Sequence, residues 1–242
     1  MNLLAFVPFA YFQQTRLNNL KALAFHATYE WIPVIVFTVF QASPQRTVVD
    51  LLFYYLAFIS VYEIGYLFND QRAVFDGGRI RIGKLSNCVV VIFVLIRVMI
   101  FVGITYLLVM YTSPLWWAWY GLLVIQFTLH NLIRLPSLKL ITFSFLAFVR
   151  FLSPVIFLLP LEVTHIIILP VFLNYVLFRL FIYIDSKEML TNFDRKSDTF
   201  LKGYYLLIFP FSFLLCILFQ SYLPVFINIY YLLLIMMSRS NA

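Results

Sequence analysis

Two polar segments of this chain mix carboxylates with basic residues in a way suited to holding a phosphate through a hard cation. In the first, Asn69 and Asp70 are followed by Asp76. Read as a helix, that stretch puts Asn69, Ala73 and Asp76 on one face by the i, i+4, i+7 rule, and Gly77 and Gly78 supply a helix stop. Glu63, seven residues before Asp70, points the same way from deeper in the apolar zone. In the second segment, Asp194 and Asp198 stand four residues apart and project together from one helix. Hard oxygen ligands from two loops suit Mg2+, which binds one or two carboxylates together with substrate phosphates. Arg72 and Lys187 in the same loops, with Arg134 and Lys139 in a third, are candidates for the remaining phosphate oxygens. Each pattern alone also describes an ordinary helix cap or a solvated helix face. Their joint placement carries the expectation.

The elements that must position these residues are legible from hydropathy. Of 242 residues, 64% are hydrophobic and 11% charged, with mean hydropathy +0.96. A soluble domain of this length needs a larger polar surface, so lipid must solvate much of the chain. The apolar runs are long and continuous, unlike the alternating segments of a transmembrane β-barrel. Runs near 22–40, 51–68, 88–111, 115–132, 140–159, 166–184, 204–219 and 223–237 are each compatible with the roughly 17–25 residues of a membrane-spanning helix. The expected fold is therefore all-α, a single polytopic bundle of about eight spans over residues 1–242. Residues 1–21 form an N-terminal segment, its apolar first part an interfacial helix rather than a cleaved leader.

The net charge of +7 invites a nucleic-acid reading, but the excess of Lys and Arg is explained by the loops of one membrane face. Arg16, Lys21, Arg72, Arg79, Arg81, Lys84, Arg134, Lys139, Lys187, Arg195, Lys196, Lys202 and Arg239 fall in the termini and the even-numbered loops. The other face carries little beyond Arg46, Asp50 and Glu162. This segregation predicts both termini and the polar loops on the cytoplasmic side of an inner or plasma membrane, in agreement with an even number of spans. Cys88 and Cys216 offer neither a disulfide framework nor metal-ligand spacing. Arg97, Arg150 and Arg179 lie inside spans, where an uncompensated charge costs about 2.5–3.5 kcal/mol on insertion scales, so each must face a partner or a wet cavity. Glu63 is the expected partner of Arg97. His130, near a helix end, reads as hydrogen-bonded more readily than as a proton carrier.

With these residues placed, the layout resembles the UbiA superfamily of intramembrane prenyltransferases. That family carries Asn-Asp-x-x-Asp-x-x-x-Asp after its second span, Tyr-x-x-x-Lys after the fourth and an Asp-x-x-x-Asp motif after the sixth. Here Asn69 and Asp70, His130-x-x-x-Arg134, and Asp194-x-x-x-Asp198 occupy those places, over roughly residues 16–205. Ala73 replaces the family's third position, Asp76 falls one residue early, and about eight spans stand where the family commonly has nine.

The resemblance implies a bundle of eight to nine spans around a lipid-facing cavity, with a diphosphate held at its cytoplasmic mouth. It implies Mg2+ on Asn69, Asp70, Asp76, Asp194 and Asp198, with Asp70, Asp194 and Asp198 as catalytic residues. Arg72, His130, Arg134, Lys139, Tyr183 and Lys187 would contact substrate. The expected reaction is prenyl transfer from an isoprenyl diphosphate to an acceptor, with membrane lipids as the other contacts. Phosphoribosyl transfer to a polyprenyl phosphate is a second possibility within the family. A transporter or flippase using the intramembrane charges, and a scaffold that has lost catalysis, are the readings outside it.

Overall fold

The computed structural model describes residues 3–41, 47–75, 81–187, 189 and 197–237, and among these all regular structure is helical. The helices are α1 (Ala10–Arg16), α2 (Leu20–His26), α3 (Ile32–Gln41), α4 (Thr47–Phe75), α5 (Asn87–Leu107), α6 (Pro114–Leu132), α7 (Pro136–Leu152), α8 (Leu161–Val171), α9 (Leu177–Ser186), α10 (Asp198–Phe219) and α11 (Leu223–Met237). Local chemistry sets several starts. The side chains of Asn19, Ser86, Ser113 and Ser197 accept from backbone N–H groups three residues on, satisfying donors that a helix N-terminus leaves open. Pro114 occupies the first position of α6, where its missing N–H costs nothing.

Each of the eight apolar runs is largely helical. Five of the resulting helices are long and apolar enough to cross a membrane: Leu20–Val39, Val48–Val74, Asn87–Leu107, Leu161–Ser186 and Thr199–Phe219. The other three runs differ for local reasons. In α6, three tryptophans, two glutamine- and asparagine-type amides and His130 dilute the apolar character. Helix α7 ends at Leu152, followed by buried turns through Ser153 and Pro154, and α11 has only 15 residues. Such irregular backbone is tolerated at membrane depth where protein rather than lipid surrounds it.

Two spans contain a π-helical turn, Ala27–Trp31 between α2 and α3 and Phe172–Val176 between α8 and α9. A proline lies two residues beyond the first turn (Pro33) and another two residues before the second (Pro170). Proline removes a ladder donor, and an inserted residue widens the turn and redirects the side chains it carries. Two large apolar cores form, beside a small cluster of Ala5, Tyr11, Leu67 and Phe93. One joins α4, α5 and α6 with Phe12 and Leu17; the other joins α3 with α8 to α11. Helix α7 serves both, with Leu146 and Val149 in the first and Ala147, Phe151 and Leu152 in the second.

The N-terminal segment, expected along the membrane surface, is packed into the bundle. Ala5, Tyr11 and Phe12 are at most 1% exposed. Its anchor is Arg97, midway along α5 and fully buried, which donates to the carbonyls of Ala5 (3.0 Å), Phe6 (2.5 Å) and Val7 (2.9 Å) and pairs with Glu63 at 2.5 Å. Glu63 also accepts from the Phe12 N–H at 2.7 Å. The Glu63–Arg97 pair foreseen from the spans is thus present, extended by three backbone carbonyls. Removing one partner of a buried pair leaves the other charge uncompensated, at a cost of about 3–5 kcal/mol. Arg97→Met should therefore lower thermal stability in detergent sharply and open residues 3–17 to protease; unchanged melting and cleavage would contradict the anchoring role.

Candidate functional site

Helix α4 has 29 residues and is about 44 Å long at 1.5 Å per residue, so its last turns rise beyond a hydrocarbon core of about 30 Å. Along it Tyr62, Tyr66, Asn69 and Ala73 form one stripe, while Ile59, Glu63, Leu67 and Asp70 form another turned toward the N-terminal segment. The first stripe opens on a cavity of about 660 Å³. The ends of α6 (Phe127, His130, Asn131) and α7 (Lys139, Phe143, Arg150) complete it, with Arg179 and Tyr183 of α9, Lys187 just beyond that helix, Arg16, His26 and Arg81. Gly65 lies on the wall because α4 and Phe127 approach so closely that a Cβ would sit 2.3 Å from the ring.

Six cationic side chains reach this cavity: Arg16, Arg81, Lys139, Arg150, Arg179 and Lys187. Three have acidic partners behind the wall: Arg16 and Arg81 share Asp70, and Arg150 has Glu30. Arg150 pairs with Glu30 at 2.7 Å and donates to Tyr66 Oη at 3.0 Å. Glu30, presented by the first π-helical turn, also accepts from Tyr175 Oη at 2.7 Å, and Tyr175 sits in the second. The two widened turns thus meet at one carboxylate. His26 Nδ1 lies 3.0 Å from Glu30 and 2.8 Å from Arg150 Nη2; one ring nitrogen serves one of these contacts at a time, according to its tautomer.

Lys139, Arg179 and Lys187 have no carboxylate within ion-pair distance among the described residues. Arg179 lies 5.1 Å over the Phe25 ring, and its buried Nε has no hydrogen-bond partner among those residues. Lys187 lies 5.8 Å over Tyr183, which stacks on Phe143 at 4.2 Å. These groups make the cavity cationic, with aromatic rings in its walls.

The residues singled out in the sequence fall into three groups. Asn69, His130, Lys139, Tyr183 and Lys187 line the cavity, from three connections distant in sequence. His130 Nδ1 is hydrogen-bonded to Thr142 Oγ1 at 2.8 Å. Arg134 is exposed on the connection between α6 and α7 and does not line the cavity; Arg72 is half-buried on α4, also outside the lining. Asp76, Asp194 and the side chain of Asp198 lie outside the described residues.

Asp70 is fully buried behind the wall. It accepts from Arg16 at 2.9 and 3.0 Å, from Arg81 at 3.3 Å and from Tyr11 Oη at 2.9 Å. Burial and the neighbouring Asp70 push the Tyr11 phenol well above its ordinary range, so it remains a donor.

The Mg2+ implied by the resemblance can be tested against these donors. Asn69 offers an amide, Asp70 is committed elsewhere, and no three of His, Cys, Asp and Glu gather among the described residues. A hard divalent ion favours free carboxylates; of the carboxylates the resemblance assigns to it, Asp70 alone is among the described side chains.

Among the residues that sequence reasoning left out of the site are Arg16, Arg81, His26, Glu30 and Tyr175; the last three owe their roles to contacts more than a hundred positions apart along the chain. Arg150 and Arg179 were flagged as needing a partner or wet cavity, which is the signal that finds them. Compared with family models, curated proteins and solved structures, the chain matches none. Its fold and site define an all-helical membrane protein with a cationic cavity at one end of the bundle. Gly65→Ala should force the Phe127 ring aside at about 1–3 kcal/mol, lowering the melting temperature and narrowing the cavity. A melt matching the parent protein would show that the ring yields freely.

Proposed function

We propose that this chain is an intramembrane transferase acting on an isoprenyl diphosphate. The observation carrying the reading is the convergence of Lys139, Arg179 and Lys187, without carboxylate partners among the described residues, on a cavity walled by aromatic rings. The UbiA-like layout of the motif positions supports it. By the bias of Lys and Arg among the loops, the cavity faces the cytoplasm and the isoprenyl tail lies among the spans.

In the proposed reaction the C1–O bond of the donor breaks heterolytically, and its electron pair stays on the departing diphosphate. Lys139, Arg179 and Lys187 compensate the charge that develops there. The allylic cation left behind faces the rings of Tyr62, Phe127 and Phe143, whose negative faces stabilise it while water is kept away. The acceptor nucleophile then bonds to C1 and loses a proton. The Arg150–Glu30–Tyr175 network fixes the wall beside Tyr66 without adding net charge.

Purified protein given labelled isoprenyl diphosphates of several lengths, with a membrane lipid extract as acceptor source, should consume donor. Arg179→Gln and Lys139→Gln should each lower kcat/KM about ten- to hundredfold, the worth of a charge-assisted contact. Donor that binds but is never consumed would instead favour a lipid-phosphate-binding scaffold, to which Ala73 in place of an acidic residue lends itself.

A further inference from the structure

Asp70 stands where a metal ligand is expected, and its surroundings point to different work. An ionised carboxylate has about four acceptor positions. Arg16 Nη2 and Arg81 Nη1 donate to Oδ1, and Arg16 Nη1 and Tyr11 Oη donate to Oδ2. All four are occupied, in a side chain with no exposed surface. Recruiting Asp70 to a cation would require displacing guanidinium groups from a buried carboxylate, which carries the penalty of breaking a buried pair.

Both arginines have a second aspect. Arg16 and Arg81 line the same cavity as Lys139, Arg179 and Lys187. The Arg16 guanidinium is fixed edge-on by the two-pronged contact with Asp70 and face-on by Tyr66, 4.2 Å from its centre. A guanidinium has five N–H donors. Asp70 takes two and the Thr15 carbonyl a third at 3.4 Å, leaving roughly two for a ligand. A planar fork held this way suits the oxygens of a phosphate ester, and its entropy of ordering is already spent before binding.

We infer that Asp70 is a positioning residue, holding Arg16 and Arg81 as direct contacts for a phosphate or diphosphate group that the cavity binds without a divalent cation. The inference rests on the cavity's role as the donor's head-group site and deepens it. It does not depend on transfer taking place. It also gives the N-terminal segment a function, since Arg16 belongs to α1 and reaches the cavity only while that helix stays docked through Glu63, Arg97 and Asp70.

The test measures affinity for inorganic pyrophosphate and for farnesyl diphosphate in detergent, each in EDTA and in Mg2+, using the full chain. The parent protein should bind both ligands in EDTA. Asp70→Asn should weaken binding about tenfold in either condition, and the loss should largely vanish when Arg16→Met is already present, because Asp70 acts through that arginine. Tyr11→Phe removes a contact of Asp70 without touching the arginines and should leave affinity nearly unchanged, which separates positioning from simple docking of the segment.

Binding of farnesyl diphosphate alone would assign the site to a lipid head group, and equal binding of pyrophosphate to the free anion as well; either supports the inference. Binding that vanishes in EDTA and returns with Mg2+ would overturn it, and failure to return in Asp70→Asn would make Asp70 a metal ligand. Absence of binding to both ligands would also overturn it. Binding in EDTA with no donor ever consumed would uphold the inference while defeating prenyl transfer.

Discussion

The structure depends on one constraint: a charge placed among apolar helices must have its partner within reach. Arg97 meets it with Glu63 and three backbone carbonyls, and those carbonyls belong to the N-terminal segment, which also buries Ala5, Tyr11 and Phe12. The arrangement of that side of the bundle is a consequence. Once the N-terminal segment is docked, Tyr11 and Arg16 are delivered to Asp70, two turns further along α4. Glu63 and Asp70, seven residues apart, act as two clasps on one face. The neighbouring face, with Tyr62, Tyr66 and Asn69, is left to the cavity.

A second constraint operates across the bundle, where Glu30 and Tyr175 are brought together by the π-helical turns. A regular α-helix places side chains at fixed angles, and one extra residue in a turn shifts the register of every later residue in that helix. Glu30 is thereby turned inward to meet Arg150, while Tyr175 supplies a further donor. Beyond Arg150 lies a small apolar space bounded by Trp31, Tyr55, Phe58 and Phe151. The ion pair therefore divides the polar end of the bundle from its aromatic interior, with its charges internally cancelled.

How much of this could be read beforehand depends on the range of each signal. Helical spans depend on local hydropathy, so all eight apolar runs are largely helical, though α6, α7 and α11 fall short of an independent crossing. Glu63 with Arg97 was legible because each charge lay in a span and few carboxylates were available. Asn69 and Ala73 sharing a face came from periodicity. The fate of Asp70 did not, because adjacent residues on a helix point about 100° apart: Asn69 takes the cavity and Asp70 the buried side. Nor could sequence place Glu30 against Arg150 and Tyr175, contacts made by tertiary packing and by two π-helical turns that hydropathy does not mark.

The same geometry bears on why the cavity mixes arginine and lysine. Arginine presents a planar fork whose orientation can be fixed by a carboxylate behind it and an aromatic ring beneath it; lysine is a compact, mobile charge. Arg16 is held from both directions, by Asp70 and Tyr66, and Arg150 by Glu30, His26 and Tyr66. Lys139 has no such fixing among the described residues, and Lys187 has only the Tyr183 ring 5.8 Å away. In the proposed role, a phosphate would meet oriented guanidinium groups that set its direction and flexible lysine stems that can follow its charge. Orientation matters when a substrate also has an apolar tail to direct into the bundle, and adaptability matters when charge moves onto an oxygen as a bond breaks. Under the proposed function, oriented arginines and flexible lysines would together provide for both.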